Sequence, residues 1–133
     1  TVIPNPLIAN NMPEPYIGVR EKRIVSVGRL NPQKNQKILI EAFALIHKNY
    51  PDYILEIYGE GLLHQELQNV IDRNYLSEKV FLRGNVNDVF NRIIKASVFV
   101  MSSDFEGMPN ALIEAMALGL PCISTDCPCG GKK

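Results

Sequence analysis

Two carboxylates eight residues apart, Glu106 and Glu114, carry the most specific chemical signal in this chain, within Glu106-Gly107-Met108-Pro109-Asn110-Ala111-Leu112-Ile113-Glu114. Glu114 is the only charged residue between Gly107 and Thr125, and Ala111, Leu112, Ile113, Ala115, Met116, Ala117 and Leu118 surround it. A helix there has almost no wet face, and an ionised group buried without a partner costs on the order of several kcal/mol. Something polar is therefore expected to meet Glu114. A vicinal diol, such as ribose hydroxyls, fits an ionised carboxylate in a mostly dry place, and an N–H or cation from a neighbouring loop is the structural alternative. Glu106 could hydrogen-bond a sugar or stabilise positive charge developing at an anomeric carbon, or be a plain loop acid. Between them, the loop through Gly107, Met108, Pro109 and Asn110 feeds a helix whose free N–H groups suit a phosphate or a sugar hydroxyl, with Gly107 permitting close approach. An ordinary capped helix start would use the same residues.

Arg29 and Lys34 form a second pair. A fixed planar cation and a flexible point charge five residues apart could converge on one phosphate-bearing ligand. Alone they read rather as solvated surface cations, and it is together with the glutamate pair that a binding role comes ahead. Gly59-Glu60-Gly61 lacks the third glycine of a dinucleotide fingerprint, because position 64 is His64, so a tight turn is expected there and a nicotinamide enzyme is not. His47 and His64 have no nucleophile spaced for a triad, and no G-x-S-x-G elbow occurs.

These groups need a scaffold, and the hydrophobic pattern supplies one. Ile24–Val27, Tyr53–Tyr58, Val80–Leu82, Val98–Met101 and Cys122–Ser124 read as strands, with helical segments in the four gaps. The first helix carries Leu39, Ala42, Phe43 and Ile46 as its apolar stripe, and the second carries Leu63, Leu67, Val70 and Ile71. The third, around Val89–Lys95, is short. The fourth runs from about Pro109 to Leu118, with proline suited to its start and Gly119 to its end. Alternation through five strands predicts an α/β fold: an open, mostly parallel Rossmann-like sheet with helices on both faces. Ligands of such sheets sit beyond the carboxyl ends of the strands, where Gly28-Arg29, Gly59-Glu60-Gly61, Arg83-Gly84-Asn85 and Ser102-Ser103 collect.

Composition narrows the class further. The 133 residues are 46% hydrophobic and suit one globular domain, and fourteen basic against fourteen acidic residues argue against a nucleic-acid or anionic-membrane partner. Cys122, Cys127 and Cys129 match neither a zinc knuckle nor a redox motif, and one buried thiol with two loop thiols in a reducing compartment is expected. No apolar run reaches the ~20 residues of a membrane helix, so a soluble domain is expected. The proline-rich start reads as an arriving segment over residues 1–22, with the domain itself over 23–133.

Taken together the residues resemble the C-terminal, donor-binding domain of retaining GT-B nucleotide-sugar glycosyltransferases, the group 1 family. Thr1-Val2-Ile3-Pro4-Asn5-Pro6 resembles the interdomain segment, Val27-Gly28-Arg29-Leu30 with Lys34 the G-R-L…K element, Tyr58-Gly59-Glu60-Gly61 the G-x-G turn and Phe81-Leu82-Arg83-Gly84-Asn85-Val86 the base-facing loop. The Glu106–Glu114 segment resembles the E-x7-E block, the most specific of these elements. The resemblance implies that Arg29 and Lys34 hold the donor diphosphate, Glu114 the ribose hydroxyls and Glu106 the transferred sugar, with Gly107, Met108, Pro109 and Asn110 along the donor. It implies that Arg83 and Val86 face the nucleobase, largely through backbone atoms. It further implies transfer of a hexose or N-acetylhexosamine with retention to a glycan or lipid-linked acceptor, no metal or other cofactor, and a UDP-linked donor in preference to GDP. The cytoplasm, at or near the inner membrane face, is the implied location. The family's acceptor-binding domain and closing helix are missing from the chain, so it is expected to bind donor weakly and transfer nothing alone. Competing readings are a non-catalytic nucleotide-binding scaffold of the same fold and a different GT-B enzyme, an epimerase or phosphorylase.

Overall fold

Runs such as Ile24-Val25-Ser26-Val27 and Val98-Phe99-Val100 are rich in β-branched and aromatic residues that pack on a pleated surface, and they become strands buried on both faces. The computed structural model describes residues 12–104 and 110–125. Strand β1 (Glu21–Val27) leads through a 3-10 turn (Pro32–Lys34) into α1 (Gln36–Ile46), and β2 (Ile54–Tyr58) into α2 (His64–Arg73). Then come β3 (Val80–Gly84), α3 (Val89–Ile93), β4 (Ala96–Met101), α4 (Asn110–Ala117) and β5 (Cys122–Ser124). All five strands pair in parallel, in the order β3-β2-β1-β4-β5. The expected Rossmann-like α/β sheet is therefore present.

Two cores flank the sheet. On one face Leu39, Ile40 and Phe43 of α1 and Leu67, Val70 and Ile71 of α2 pack on Leu55, Ile57 and Val80. On the other, Ile93 and Ile94 join Ala115 and Leu118 over Val25, Tyr58, Phe99 and Met101. Arg20 ties the arriving segment to this second layer, donating to the carbonyls of Ile94 (2.9 Å), Ala96 (3.0 Å) and Gly119 (3.0 Å). No helix among the described residues is long and apolar enough to cross a membrane.

Two expectations need correction. The inward stripe of α1 is Gln36, Leu39, Ile40 and Phe43, whereas Ala42 and Ile46 are exposed. Both stripes obey the same i, i+3, i+4, i+7 spacing and share Leu39 and Phe43; the layer beneath selects between them. Helix α4 does have a wet side, with Met116 60% exposed and Ala117 exposed, because it rests on β4 and on the three-residue strand β5 at the sheet's edge. Its end is as expected: the N–H groups of Gly119 and Leu120 bond the carbonyls of Met116 (3.0 Å) and Ala115 (3.1 Å), closing the helix as a Schellman pair.

Candidate functional site

The sheet order reverses between β1 and β4, and in open α/β sheets that reversal opens a crevice at the strands' carboxyl ends. Gly28 and Arg29 leave β1 there, and the Lys34 side chain folds back over Gly28, its Cδ 3.4 Å from where a Cβ on Gly28 would stand. The turn bearing Lys34 is pinned from both sides. Its N–H donates to Asn31 Oδ1 (3.1 Å), and its carbonyl accepts from Ser102 Oγ (2.9 Å). Asn35 Nδ2 donates to Asp104 Oδ1 (2.9 Å), and the Asp104 N–H to the Gln33 carbonyl (2.8 Å). The chain that leaves β4 toward position 106 is thereby held against the loop that leaves β1.

A cavity of about 440 Å³ opens beside this turn across the ends of β1, β2 and β3, lined by Val27, Arg29, Tyr58, Glu60, Asn85 and Val86 among others. Its floor is backbone laid on backbone. A Cβ on Gly59 would stand 2.0 Å from the Gly28 carbonyl oxygen, and one on Gly61 2.4 Å from that of Leu30, so only glycine admits this approach. Hydrogen bonds hold the layers: Gly28 N–H to Tyr58 O (2.9 Å), Leu30 N–H to Glu60 O (3.0 Å) and Gly59 N–H to Gly84 O (2.9 Å). The G-x-G element is thus the tight turn expected of it, and it builds one wall of the cavity.

Arg83 sends its side chain elsewhere. Its Nε and NH2 donate to Glu56 Oε2 at 2.9 and 2.7 Å, while Arg23 NH1 donates to Glu56 Oε1 at 2.6 Å. Glu56 is 5% exposed, on the face shared with α3 and α4. Burial alone would raise its carboxyl, and the hydrogen bonds and charges of Arg23 and Arg83 more than offset that, leaving it below the usual carboxylate range. The guanidinium of Arg83 is therefore committed to Glu56 and does not line the cavity, whereas the Gly84, Asn85 and Val86 that follow it do. The sequence reading missed this network, whose members lie 27 and 33 residues apart.

Asn110 is exposed at the start of α4, and Glu114 stands half-buried one turn on, along the same side of the helix. Burial pushes the Glu114 carboxyl up, and among the described residues no hydrogen bond or ion pair meets it. The internal partner that would have made Glu114 purely structural is not found there. Glu106, Gly107, Met108 and Pro109 lie outside the described residues. Arg29 is exposed at the cavity's rim and Lys34 partly buried beside it.

The His47 ring stacks on Phe43 at 6.1 Å, and His64 Nδ1, buried and without a hydrogen-bond partner among the described residues, lies 3.7 Å from Glu60 Oε1. Cys122 is half-buried, and the other two cysteines lie outside the described residues. Tyr58, Glu60 and Asn85, which the sequence places at the strand ends, stand in the cavity wall, whereas Gln36 was passed over. Gln36 had a signal: it stands at i in the i, i+3, i+4, i+7 stripe of α1, a polar residue where the pattern wants an apolar one.

The family model described as Glycosyl transferases group 1 matches residues 9–133. An N-acetylgalactosamine-N,N'-diacetylbacillosaminyl-diphospho-undecaprenol 4-alpha-N-acetylgalactosaminyltransferase of Campylobacter jejuni is 38% identical over 117 residues, 88% of this chain and 31% of its own length. A UDP-Gal:alpha-D-GlcNAc-diphosphoundecaprenol alpha-1,3-galactosyltransferase of Escherichia coli is 38% identical over 122 residues, 85% of this chain and 30% of its own. Among solved structures, a mutant of S. aureus TarM in complex with Fondaparinux, alpha-GlcNAc-glycerol and UDP superposes with a TM-score of 0.85 at 28% identity, over 90% of this chain and 24% of that one. This chain spans 27 to 36% of the length of the curated relatives it matches first.

Proposed function

The chain belongs to the glycosyl transferases group 1 family, and on that premise we propose that it is the donor-binding half of a retaining enzyme. That enzyme moves a hexose or N-acetylhexosamine from a nucleotide diphosphate sugar to a glycan or lipid-linked acceptor. The observation that supports the reading is the half-buried, unmatched carboxylate of Glu114, one helical turn beyond Asn110, which lines a small cavity together with Lys34 at the ends of β1 and β4. In this assignment the base occupies the cavity beside Val86, and Glu114 takes the ribose hydroxyls. Arg29, Lys34 and the start of α4 carry the diphosphate, and Glu106 contacts the transferred sugar. Negative charge gathers on the departing diphosphate as the glycosidic bond breaks, and fixed cations and backbone N–H groups aimed at it supply much of the rate. Arg83 serves by anchoring the loop through its pairing with Glu56, leaving backbone atoms to meet the base.

A UDP donor is supported by the relatives: one solved neighbour binds UDP, and one relative's name specifies UDP-Gal. We assign no metal or other cofactor a role. Residues 1–22 are read as the segment joining this half to an acceptor-binding half, in a cytoplasmic protein working at the inner membrane face. Titration calorimetry of the full-length protein with UDP, GDP and ADP tests the binding step; silence with all three ends the proposal. Glu106→Ala in the full-length protein separates enzyme from scaffold. A transferase loses turnover while staying folded, whereas a scaffold keeps its function.

A further inference from the structure

Gln36 is the first residue of α1 and only 2% exposed, an uncommon burial for an amide. Its Nε2 donates to the Arg29 carbonyl at 2.8 Å, reaching back seven residues to the turn that carries the first cation of the site. A carbonyl oxygen can only accept, so the amide nitrogen must face Arg29 and the amide oxygen must face away. That oxygen, Oε1, is buried and finds no hydrogen-bond partner among the described residues. Gln36 also lines a small cavity of about 20 Å³ between the ends of β1 and β4, together with Ser26, Lys34, Ser102, Ser103 and Asn110. This volume admits one water-sized group, and the lining is polar enough to hold it.

We propose that Gln36 is a positioning residue for the phosphate end of the donor site: one amide arm fixes the Arg29 carbonyl, and the other receives a single O–H group seated beside Lys34. The inference rests on the donor-site reading above and adds to it a residue and a bound hydroxyl. An unfilled buried acceptor is costly to keep, so losing the Gln36 amide relieves that cost while leaving the Arg29 carbonyl without its donor, and the two effects on stability oppose one another. The group that fills it is either an ordered water or a hydroxyl of the transferred sugar, and both present the same hydrogen-bond donor.

The test uses the full-length protein and the Gln36→Met variant, which keeps the side-chain length and loses both polar atoms. UDP affinity is measured by calorimetry, folding by Tm, and kcat and KM with whichever of UDP-galactose, UDP-glucose and their N-acetylated forms the wild type turns over. The expected result is a Tm within a few degrees of wild type with kcat/KM reduced about tenfold or more, in line with one lost hydrogen bond. In donors lacking one sugar hydroxyl, a sugar-derived occupant makes the gap between the two proteins collapse for a single deoxy position. A water occupant instead leaves the gap equal for all of them and weakens UDP itself. Unchanged kcat/KM overturns the inference, and so does a loss of activity that only follows a loss of Tm. Should wild-type protein bind no nucleotide, it is the donor-site reading that fails; normal binding with an indifferent Gln36→Met sinks this inference alone.

Discussion

Glu56 and Glu114 are both withdrawn from water, and their surroundings push their carboxyls in opposite directions. Glu56 is held below its ordinary value of 4.5 by two guanidiniums, so its stabilisation is complete above that value and is lost as pH falls through the lower folded one. Glu114 is raised above 4.5 by burial, so its ionised form weighs on the folded state at neutral pH, and that burden fades as pH falls toward 4.5. Glu56→Ala removes the carboxylate shared by Arg23 and Arg83, although Arg23 keeps Glu21 and the Arg92 carbonyl, and should lower stability by roughly 3 kcal/mol in urea titration. The figure sits at the low end for buried pairs because Arg83 remains 39% exposed. Glu114→Leu should raise the Tm of ligand-free protein slightly, by about 2 °C, since the carboxylate is only half-buried. On the proposed function the same change should weaken UDP binding about 100-fold, through loss of two charge-assisted hydrogen bonds to the ribose. A Glu114→Leu protein that binds UDP as wild type would show the carboxylate has no part in the site.

At the scale of elements, the site depends on how closely the strand ends approach one another. Gly59, at φ +137°, lies against the Gly28 carbonyl, and β2 and β3 shift register between Ile57 and Tyr58 to reach the Gly59–Gly84 bridge. Gly59→Ala must push the two loops apart, and we expect a loss of more than ~2 kcal/mol in stability with a further drop in UDP affinity. Equilibrium unfolding and calorimetry on one preparation measure both. The element pattern itself was largely legible: all five strands fall where the β-rich runs lie, and α4 stops at its glycine. Legibility failed where one spacing fits two answers, as with Ala42 against Ile40 on α1, because periodicity fixes the width of a stripe and its contacts fix the phase.

For the whole molecule, the proposed function makes a chain covering about a third of its relatives' length the donor side of a larger cleft. A donor gripped from one side binds weakly, and an acceptor held elsewhere cannot be brought in line with it. Residues 1–133 alone are therefore expected to bind UDP more weakly than the full-length protein and to transfer no sugar, checked by calorimetry and radiolabel transfer on both. Turnover by the short chain would mean that the acceptor is also held within these residues.

The sequence by itself determined the alternating parallel fold, the sheet edge that bears the polar residues and the family to which Glu106, Glu114, Arg29 and Lys34 point. These are properties of residue type and short-range spacing, which the chain carries without folding. Only the tertiary structure decided that Arg83 turns to Glu56, that Gln36 spans from α1 to the Arg29 carbonyl with an oxygen to spare, and that Glu114 meets no protein partner among the described residues. Each depends on which distant groups arrive beside a polar atom once the layers close, and a hydrogen-bonding requirement written in the sequence does not name what will satisfy it.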